Sequence, residues 1–125
     1  MNTNPTFKFK TMSPLLLVAD LDRSLEFYVQ NLGFEVDFLY EDFYAGIIKD
    51  GFSIHLKLAE SSADERQNRR NNGHIDITFA IEMVAAWYQC LKNRLVEIVQ
   101  PLRDMPYGQE FYIEDPDGYI LAFLG

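Results

Sequence analysis

The feature that most constrains the fold of this 125-residue chain is an internal repeat. An internal duplication of about 60 residues explains three pairs of similar stretches that occur in the same order in both halves. The pairs are 25–28 with 85–88, 34–36 with 96–98, and 50–52 with 117–119. One half alone would bury little apolar surface, so the halves must pack together or pair with another chain.

The first half predicts a strand, a helix and three further strands. An apolar run over residues 12–19 predicts a buried strand. Asp20 and Asp22 can cap a helix that ends at Gly33. The three strand-like runs that follow are 35–40, 43–49 and 52–58, with a hairpin signal at Asp50-Gly51 between the last two.

The second half predicts the same order of elements. A strand over 74–80 is followed by a helix over 82–95, a short strand over 96–99, a loop over 101–108, and strands over 109–114 and 119–124. A turn at 115–118 joins the last two strands. We therefore expect a single domain, 1–125, made of two modules at about 11–58 and 74–125, joined by a polar linker over 59–73.

Composition excludes some classes of function. The net charge of −8 opposes binding to nucleic acid, which needs basic residues to replace the counterions of the phosphates. No apolar run approaches the roughly 20 residues that span a membrane, and residues 1–10 lack a signal core. Cys90 has no internal disulfide partner, which favours a reducing compartment. These features predict a cytoplasmic protein with no membrane partner.

Alternating polar and apolar residues predict which face of each sheet binds a ligand. His74 and Asp76 share one strand face, opposite apolar residues, and His55 lies among polar residues that alternate with an apolar row. The apolar faces are expected under the helices. The polar faces then form the concave inside of a curved sheet, where a small ligand would bind.

Several motifs resemble those of the vicinal oxygen chelate superfamily. They are PLLLVADLDRS at 14–24, FY at 27–28, LGF at 32–34, GHI at 73–75, YGQEFY at 107–112 and DPDG at 115–118. This superfamily includes glyoxalase I, extradiol dioxygenases, fosfomycin-resistance transferases and bleomycin-binding resistance proteins. The resemblance implies an α+β fold of two βαβββ modules that form a curved mixed sheet with a concave cup. It also implies a homodimer in which modules of both chains form the cups.

The resemblance implies four positions for metal ligands, here Ser13, His55, His74 and Ala122. A catalytic metal needs about three protein ligands and an open coordination position. Only the two histidines are suitable donors, so the site is incomplete and no cofactor is the leading expectation, with a divalent metal as the alternative. Asp76 is one residue that could supply a further ligand.

Three more residues are candidates for contact with a ligand. Tyr112 corresponds to the aromatic residue that faces the cup in the family, and Glu110 lies on the same strand face and is a second candidate for a further metal ligand. Tyr40, in the first module, could stack on a planar ligand. The alternative for each of these residues is a structural role in the core or across the sheet.

Three functions remain open. The first is a small-molecule-binding protein of the bleomycin-resistance type, which would sequester a cationic or aromatic ligand, such as an antibiotic, without metal chemistry. The second is a metal-dependent lyase or isomerase similar to glyoxalase I, in which the metal stabilises an enediolate-like charge. The third is a dimeric scaffold or regulator whose cup is filled by apolar side chains: Leu15, Leu17, Ile120 and Leu124.

Overall fold

The computed structural model describes residues 5–60 and 73–125. Most of the predicted linker, 61–72, lies outside the described residues. The described residues form two four-stranded mixed sheets, each carrying one helical segment, and the predicted α+β fold class is confirmed. In the described part of the chain, no helix is long and apolar enough to cross a bilayer.

The first sheet and its helix, here called module 1, follow the predicted order. Its elements are β1 (Leu15–Val18), α1 (Leu21–Glu26) with a π-helical continuation (Phe27–Asn31), β2 (Glu35–Tyr40), β3 (Tyr44–Lys49) and β4 (Phe52–Leu58). Asp20 caps α1, since its side chain accepts a hydrogen bond of 3.0 Å from the Arg23 N–H. Asp50 and Gly51 both have positive φ, as a two-residue hairpin turn requires.

The second sheet and its helix, module 2, repeat this order. Its elements are β5 (Ile77–Ala80), α2 (Val84–Asn93), β6 (Glu97–Met105), β7 (Gly108–Glu114) and β8 (Ile120–Leu124). The strand orders are β1-β4-β3-β2 and β5-β8-β7-β6, with the first pair of each sheet parallel and the others antiparallel. Each module is therefore a βαβββ unit.

The buried core lies between the helices and one face of each sheet. On β4, Ile54 and Leu56 are buried, whereas His55 between them is half-buried and faces the other way. Module 2 packs Tyr88 of α2 against Phe111 of β7, with ring centroids 5.0 Å apart. The faces opposite the helices are here called the open faces; His55 lies on the open face of module 1, and Glu110 and Tyr112 lie on that of module 2.

Two of the predicted strands have different bounds in the structure. The strand predicted over 74–80 begins at Ile77, so His74 precedes it, and Ile75 is exposed rather than covered by a helix. The loop predicted over 101–108 is wrong, because β6 continues through Pro101 to Met105. β6 lies at the edge of its sheet, where the missing N–H of a proline need not break the ladder.

The Asp-Pro-Asp-Gly turn between β7 and β8 joins the two modules. The buried Asp117 carboxylate accepts hydrogen bonds from the Ala19 N–H at 2.9 Å and from the Ser24 hydroxyl at 3.2 Å. Arg23 of α1 adds a contact of 3.4 Å to the same carboxylate. The turn thus binds the N-terminal end of α1.

Asp115 of the same turn completes this contact. One of its oxygens accepts a hydrogen bond of 2.7 Å from the Tyr28 hydroxyl, and the other accepts the N–H groups of Asp117 and Tyr119 at 2.9 Å. The Tyr119 hydroxyl in turn bonds both the N–H and the C=O of Leu17 on β1. The orientation of module 2 against module 1 is therefore fixed by buried, directional hydrogen bonds.

Candidate ligand-binding site

Three aromatic rings meet on the open face of module 1. Phe38 of β2 stacks on Tyr44 of β3, with centroids 6.1 Å apart, and meets the His55 ring edge-on at 5.3 Å. Tyr44 and His55 also make an edge-on contact, at 5.5 Å. We call Phe38, Tyr44 and His55 the aromatic cluster. Stacked and edge-on rings of this kind offer a planar ligand a matching surface.

A glycine makes room for this cluster. Gly46 on β3 is the register partner of His55, and a Cβ built at Gly46 would overlap the Phe38 ring. The ring therefore lies directly over the glycine backbone, in a place that no larger residue allows without moving it. Phe38 is nevertheless 39% exposed, so part of the ring remains available for contact.

The orientation of His55 follows from its hydrogen bond. The Tyr44 hydroxyl lies 2.8 Å from Nδ1 of the imidazole. Within the described residues, Nε2 has no hydrogen-bond partner, so the polar group that His55 offers to a ligand is Nε2. Leu15 and Leu17 of β1 flank this position as apolar neighbours and are 50% and 41% exposed.

The open face of module 2 is occupied by an ion pair and two phenols. The Glu110 carboxylate, 2% exposed, accepts hydrogen bonds from Arg103 at 2.6 and 2.9 Å. It also accepts the Tyr112 hydroxyl at 2.7 Å and the Tyr107 hydroxyl. Four donors thus contact this carboxylate, three of them on Oε2 and one on Oε1.

These contacts decide the protonation of the network. Burial alone would raise the pKa of the Glu110 carboxyl, but the hydrogen bonds from Tyr107, Tyr112 and Arg103 outweigh it and lower the pKa. Each of the two phenols donates its own hydrogen bond to Glu110, and this bond raises the pKa of the Tyr112 phenol and that of the Tyr107 phenol. The network thus holds one carboxylate, one guanidinium and two neutral phenols near neutral pH.

Glu110 and Tyr112, both predicted to contact a ligand, lie together in the structure. They hydrogen-bond to each other. Sequence reasoning missed Arg103, which lies in the stretch predicted as a loop, and it missed Phe38. Two signals were available for these residues: a lone arginine two residues after Pro101, and the alternation of β2. Tyr40 lies at the end of β2 and is 61% exposed, with its ring edge-on to Phe43 at 5.7 Å.

The other predicted metal positions form a different set of contacts. His74 Nε2 lies 3.2 Å from one Asp76 oxygen, and the other Asp76 oxygen accepts the Ile120 N–H at 2.8 Å. Ser13 hydrogen-bonds Ser53. The Asp76 N–H also donates to the Ile120 carbonyl at 2.8 Å, so Asp76, not His74, continues the pairing of β5 with β8.

These residues do not fit a catalytic metal of the kind the resemblance implies. Ala122 has no donor atom, and the Glu110 carboxylate is committed to its four donors. Among residues 5–60 and 73–125, no three His, Cys, Asp or Glu side chains come close enough together to hold a metal ion.

Two repeated βαβββ units, each with a mixed sheet and an open face, define the class of paired-module α+β proteins. The family model described as the Glyoxalase/Bleomycin resistance protein/Dioxygenase superfamily matches residues 11–123, and the chain belongs to this superfamily. A comparison with proteins of curated function found no significant match.

Solved structures with this fold include proteins with different roles. The bleomycin-binding protein from Streptomyces verticillus, solved with copper(II)-bleomycin, is 23% identical, with a TM-score of 0.70 over 96% of this chain and 98% of that one. The fosfomycin resistance protein FosX from Listeria monocytogenes is 17% identical, with a TM-score of 0.71 over 94% and 93%. The antibiotic-binding protein TnmS3 from Streptomyces sp. CB03234 is 17% identical, with a TM-score of 0.67 over 94% and 98%. At these identities the likeness shows the fold alone.

Proposed function

We propose that this chain binds a flat aromatic small molecule on the open face of module 1 and sequesters it without converting it. The observation that carries the proposal is the aromatic cluster over Gly46. Its rings are partly exposed and held in place by their contacts with one another, so little conformational entropy is lost when a ligand stacks on them. His55 Nε2 beside the rings supplies a polar contact that fixes the orientation of the ligand.

The local charges favour the aromatic part of the expectation over the cationic part. On the open faces, the Glu110 carboxylate is neutralised by Arg103, and Lys57 of β4 is exposed near the aromatic cluster. A positive ligand is therefore attracted only by the net charge of −8 spread over the chain. Stacking, rather than charge, is proposed as the main source of affinity.

The donor set supports binding without a metal over lyase or isomerase chemistry similar to that of glyoxalase I. Such chemistry needs a metal to stabilise an enediolate-like charge and a free carboxylate to move a proton. The Glu110 and Asp76 carboxylates are both committed to hydrogen bonds or ion pairs, and Ala122 offers no ligand.

We further propose that the protein is a homodimer and that it acts in the cytoplasm. There it would protect the cell from an aromatic antibiotic. Exposed Leu15 and Leu17 beside the aromatic cluster support a dimer, because a partner module would cover them. The bleomycin-binding and antibiotic-binding roles of two proteins with the same fold support the class of ligand.

Calorimetric titration with three probes tests the proposal. Proflavine is a planar cation, 2-anthracenesulfonate is a planar anion, and spermidine is a cation without a ring. We expect both planar probes to bind and spermidine not to bind. Phe38→Ala should weaken the binding of both planar probes by about fivefold, because a ring pair contributes about 1 kcal/mol beyond its buried area.

Leu39→Ala is the matched control. Leu39 is the next residue of β2, is also exposed, and faces the opposite side of the strand. Equal weakening by the two variants, or no binding of either planar probe, would overturn the aromatic site. Mass spectrometry of the probe recovered after long incubation tests sequestration, which a new product would contradict.

A further inference from the structure

Two hydrogen-bond donors lie side by side next to the aromatic cluster. His55 and Lys57 are two residues apart on β4, so their side chains share the open face of module 1 and their Cα atoms are about 7 Å apart. Lys57 is the register partner of Tyr44, and His55 is that of Gly46. The imidazole and the ammonium group therefore border the same aromatic surface.

The hydrogen bond with Tyr44 makes Nε2 of His55 a donor. A phenol donates a hydrogen bond more readily than it accepts one, so the Tyr44 hydroxyl donates to Nδ1 across 2.8 Å, and the neutral imidazole carries its proton on Nε2. In the protonated imidazole both nitrogens carry a proton, so Nε2 is a donor in that form as well. A ligand beside His55 must therefore present an acceptor.

Lys57 adds a positive charge to this donor. Its side chain is exposed, and none of the ion pairs within residues 5–60 and 73–125 includes it. On β1, β3 and β4, which the structure describes in full, Lys57 is the one charged residue on the open face. Its ammonium group is therefore available to a ligand that stacks on the aromatic cluster.

The carboxylates of module 1 lie too far away to neutralise Lys57. Glu35 and Asp37 are on β2, which is two strands from β4, or about 9.5 Å. Glu41 and Asp42 line a pocket beside α1, on the other side of the sheet. Charges in solvent are largely screened beyond about 8 Å at physiological ionic strength. Lys57 therefore dominates the charge next to the cluster, although the chain has a net charge of −8.

We propose that the planar ligand of this site is an aromatic acid, bound as its anion, whose oxygens accept hydrogen bonds from His55 Nε2 and Lys57 Nζ. This inference rests on the proposed function, because the ring of the acid stacks on the aromatic cluster. A carboxylate has two oxygens and only accepts hydrogen bonds, so it matches two neighbouring donors. A cation is repelled by Lys57, which thereby selects the sign of the charge on the ligand.

Three probes with the same two-ring system test this choice of ligand. 2-Naphthoate carries a carboxylate, 2-naphthamide a neutral amide, and 2-naphthylmethylammonium a positive charge. By calorimetry we expect 2-naphthoate to bind about fivefold more tightly than 2-naphthamide, as an exposed ion pair allows, and the ammonium probe to bind most weakly. Added salt should reduce the preference for the acid. Equal affinities for the acid and the amide would overturn the proposal.

Lys57→Met tests the source of the preference, because it removes the charge and keeps most of the apolar stem. It should weaken the binding of 2-naphthoate about fivefold and leave that of 2-naphthamide unchanged. Lys49→Met is the matched control, since it removes the same charge from the same sheet on the face under the helix, and it should keep the preference. An acid that retains its advantage in Lys57→Met would refute the role of this residue.

His55→Phe keeps a ring beside the cluster and removes the donor. 2-Naphthoate and 2-naphthamide both present a carbonyl oxygen, so both should bind about fivefold more weakly, whereas the ammonium probe has no acceptor and should not. Equal weakening of all three probes would show that His55 contributes packing alone, against the proposal. A circular dichroism spectrum equal to that of the unmodified chain shows that each variant is folded.

The results distinguish this inference from the proposed function. If all three probes bind with equal affinity and Phe38→Ala weakens each of them, the planar site is supported and only the preference for an acid is contradicted. If none of the three probes binds, the proposed function itself is contradicted, and the inference that rests on it is lost as well.

Discussion

The contact between the two modules should make the stability of this protein fall as the pH rises through the weakly acidic range. Burial raises the pKa of the Asp115 carboxyl from 3.8 to about 6, although the Tyr28 hydroxyl and two backbone N–H groups oppose part of this effect. A carboxyl with a raised pKa binds its proton more tightly in the folded state than in the unfolded state. The free energy of unfolding is therefore highest below about pH 4, falls between pH 4 and 6, and is constant above that range.

The size of the effect follows from the two pKa values. A shift of about two units corresponds to about 3 kcal/mol over the whole range, of which about 2 kcal/mol is lost between pH 4.5 and pH 7. Glu110 acts in the opposite direction, because its pKa is lowered, but its contribution is lost only as the pH falls below about 4.5. The chosen window therefore isolates the Asp115 effect.

Asp115→Asn is the perturbation that removes this titration and keeps the geometry. The amide oxygen can accept the same two backbone N–H groups, and the amide nitrogen can donate to the Tyr28 hydroxyl oxygen. Urea unfolding of both proteins at pH 4.5 and at pH 7 measures the effect. Between pH 4.5 and pH 7, the free energy of unfolding of the unmodified protein should fall by about 2 kcal/mol more than that of the variant.

A control separates this effect from the loss of one negative charge. Asp42→Asn removes one negative charge from an exposed position and therefore measures the effect of the charge alone at both pH values. If the difference in the free energy of unfolding between Asp115→Asn and the unmodified protein is the same at both pH values, the pKa of the Asp115 carboxyl is not raised in the folded state, and the reasoning is wrong.

Three further predictions concern single contacts. Tyr28→Phe removes the hydroxyl that Asp115 accepts and should lower the free energy of unfolding by about 1–3 kcal/mol, more at pH 7 than at pH 4.5, as urea unfolding will measure. Gly46→Ala pushes the Phe38 ring off its place and should weaken proflavine binding in calorimetry, whereas unchanged affinity would contradict the role of the cluster. Asp20→Ala removes the cap of α1 and should cost about 1 kcal/mol by thermal unfolding, with no loss of probe binding.

Local signals in the sequence were sufficient to predict most of the fold. The Asp20 cap, the Asp50-Gly51 hairpin and the alternation around His55 each depend on a few neighbouring residues, and the structure confirms all three. Pro101 misled the prediction of β6, since a proline argues against a strand unless the strand is known to be at an edge. Edge position depends on the order of strands, which no local pattern contains.

The partners of the candidate site residues were harder to predict. Glu110 and Tyr112 were expected near a ligand, but the sequence does not indicate that Arg103 would neutralise the carboxylate and fill the space beside it. His74 was expected on a strand face and instead precedes β5, paired with Asp76. In each case the residue type was informative, whereas the partner depended on the bounds of the strands, because β6 continues past Arg103 and β5 begins only at Ile77.

The two modules have diverged at equivalent positions, and this divergence explains why only one open face is a candidate site. In module 1 the Asp-Gly turn is a two-residue hairpin turn, and Phe52, which follows it, is exposed. In module 2 the corresponding turn carries Asp115 and Asp117, and Tyr119 follows it; all three bond to module 1. Module 2 thus supplies the hydrogen bonds that join the halves, and its open face is closed by an ion pair. Module 1 is held by these contacts and is therefore able to keep exposed rings on its own open face without losing the fold.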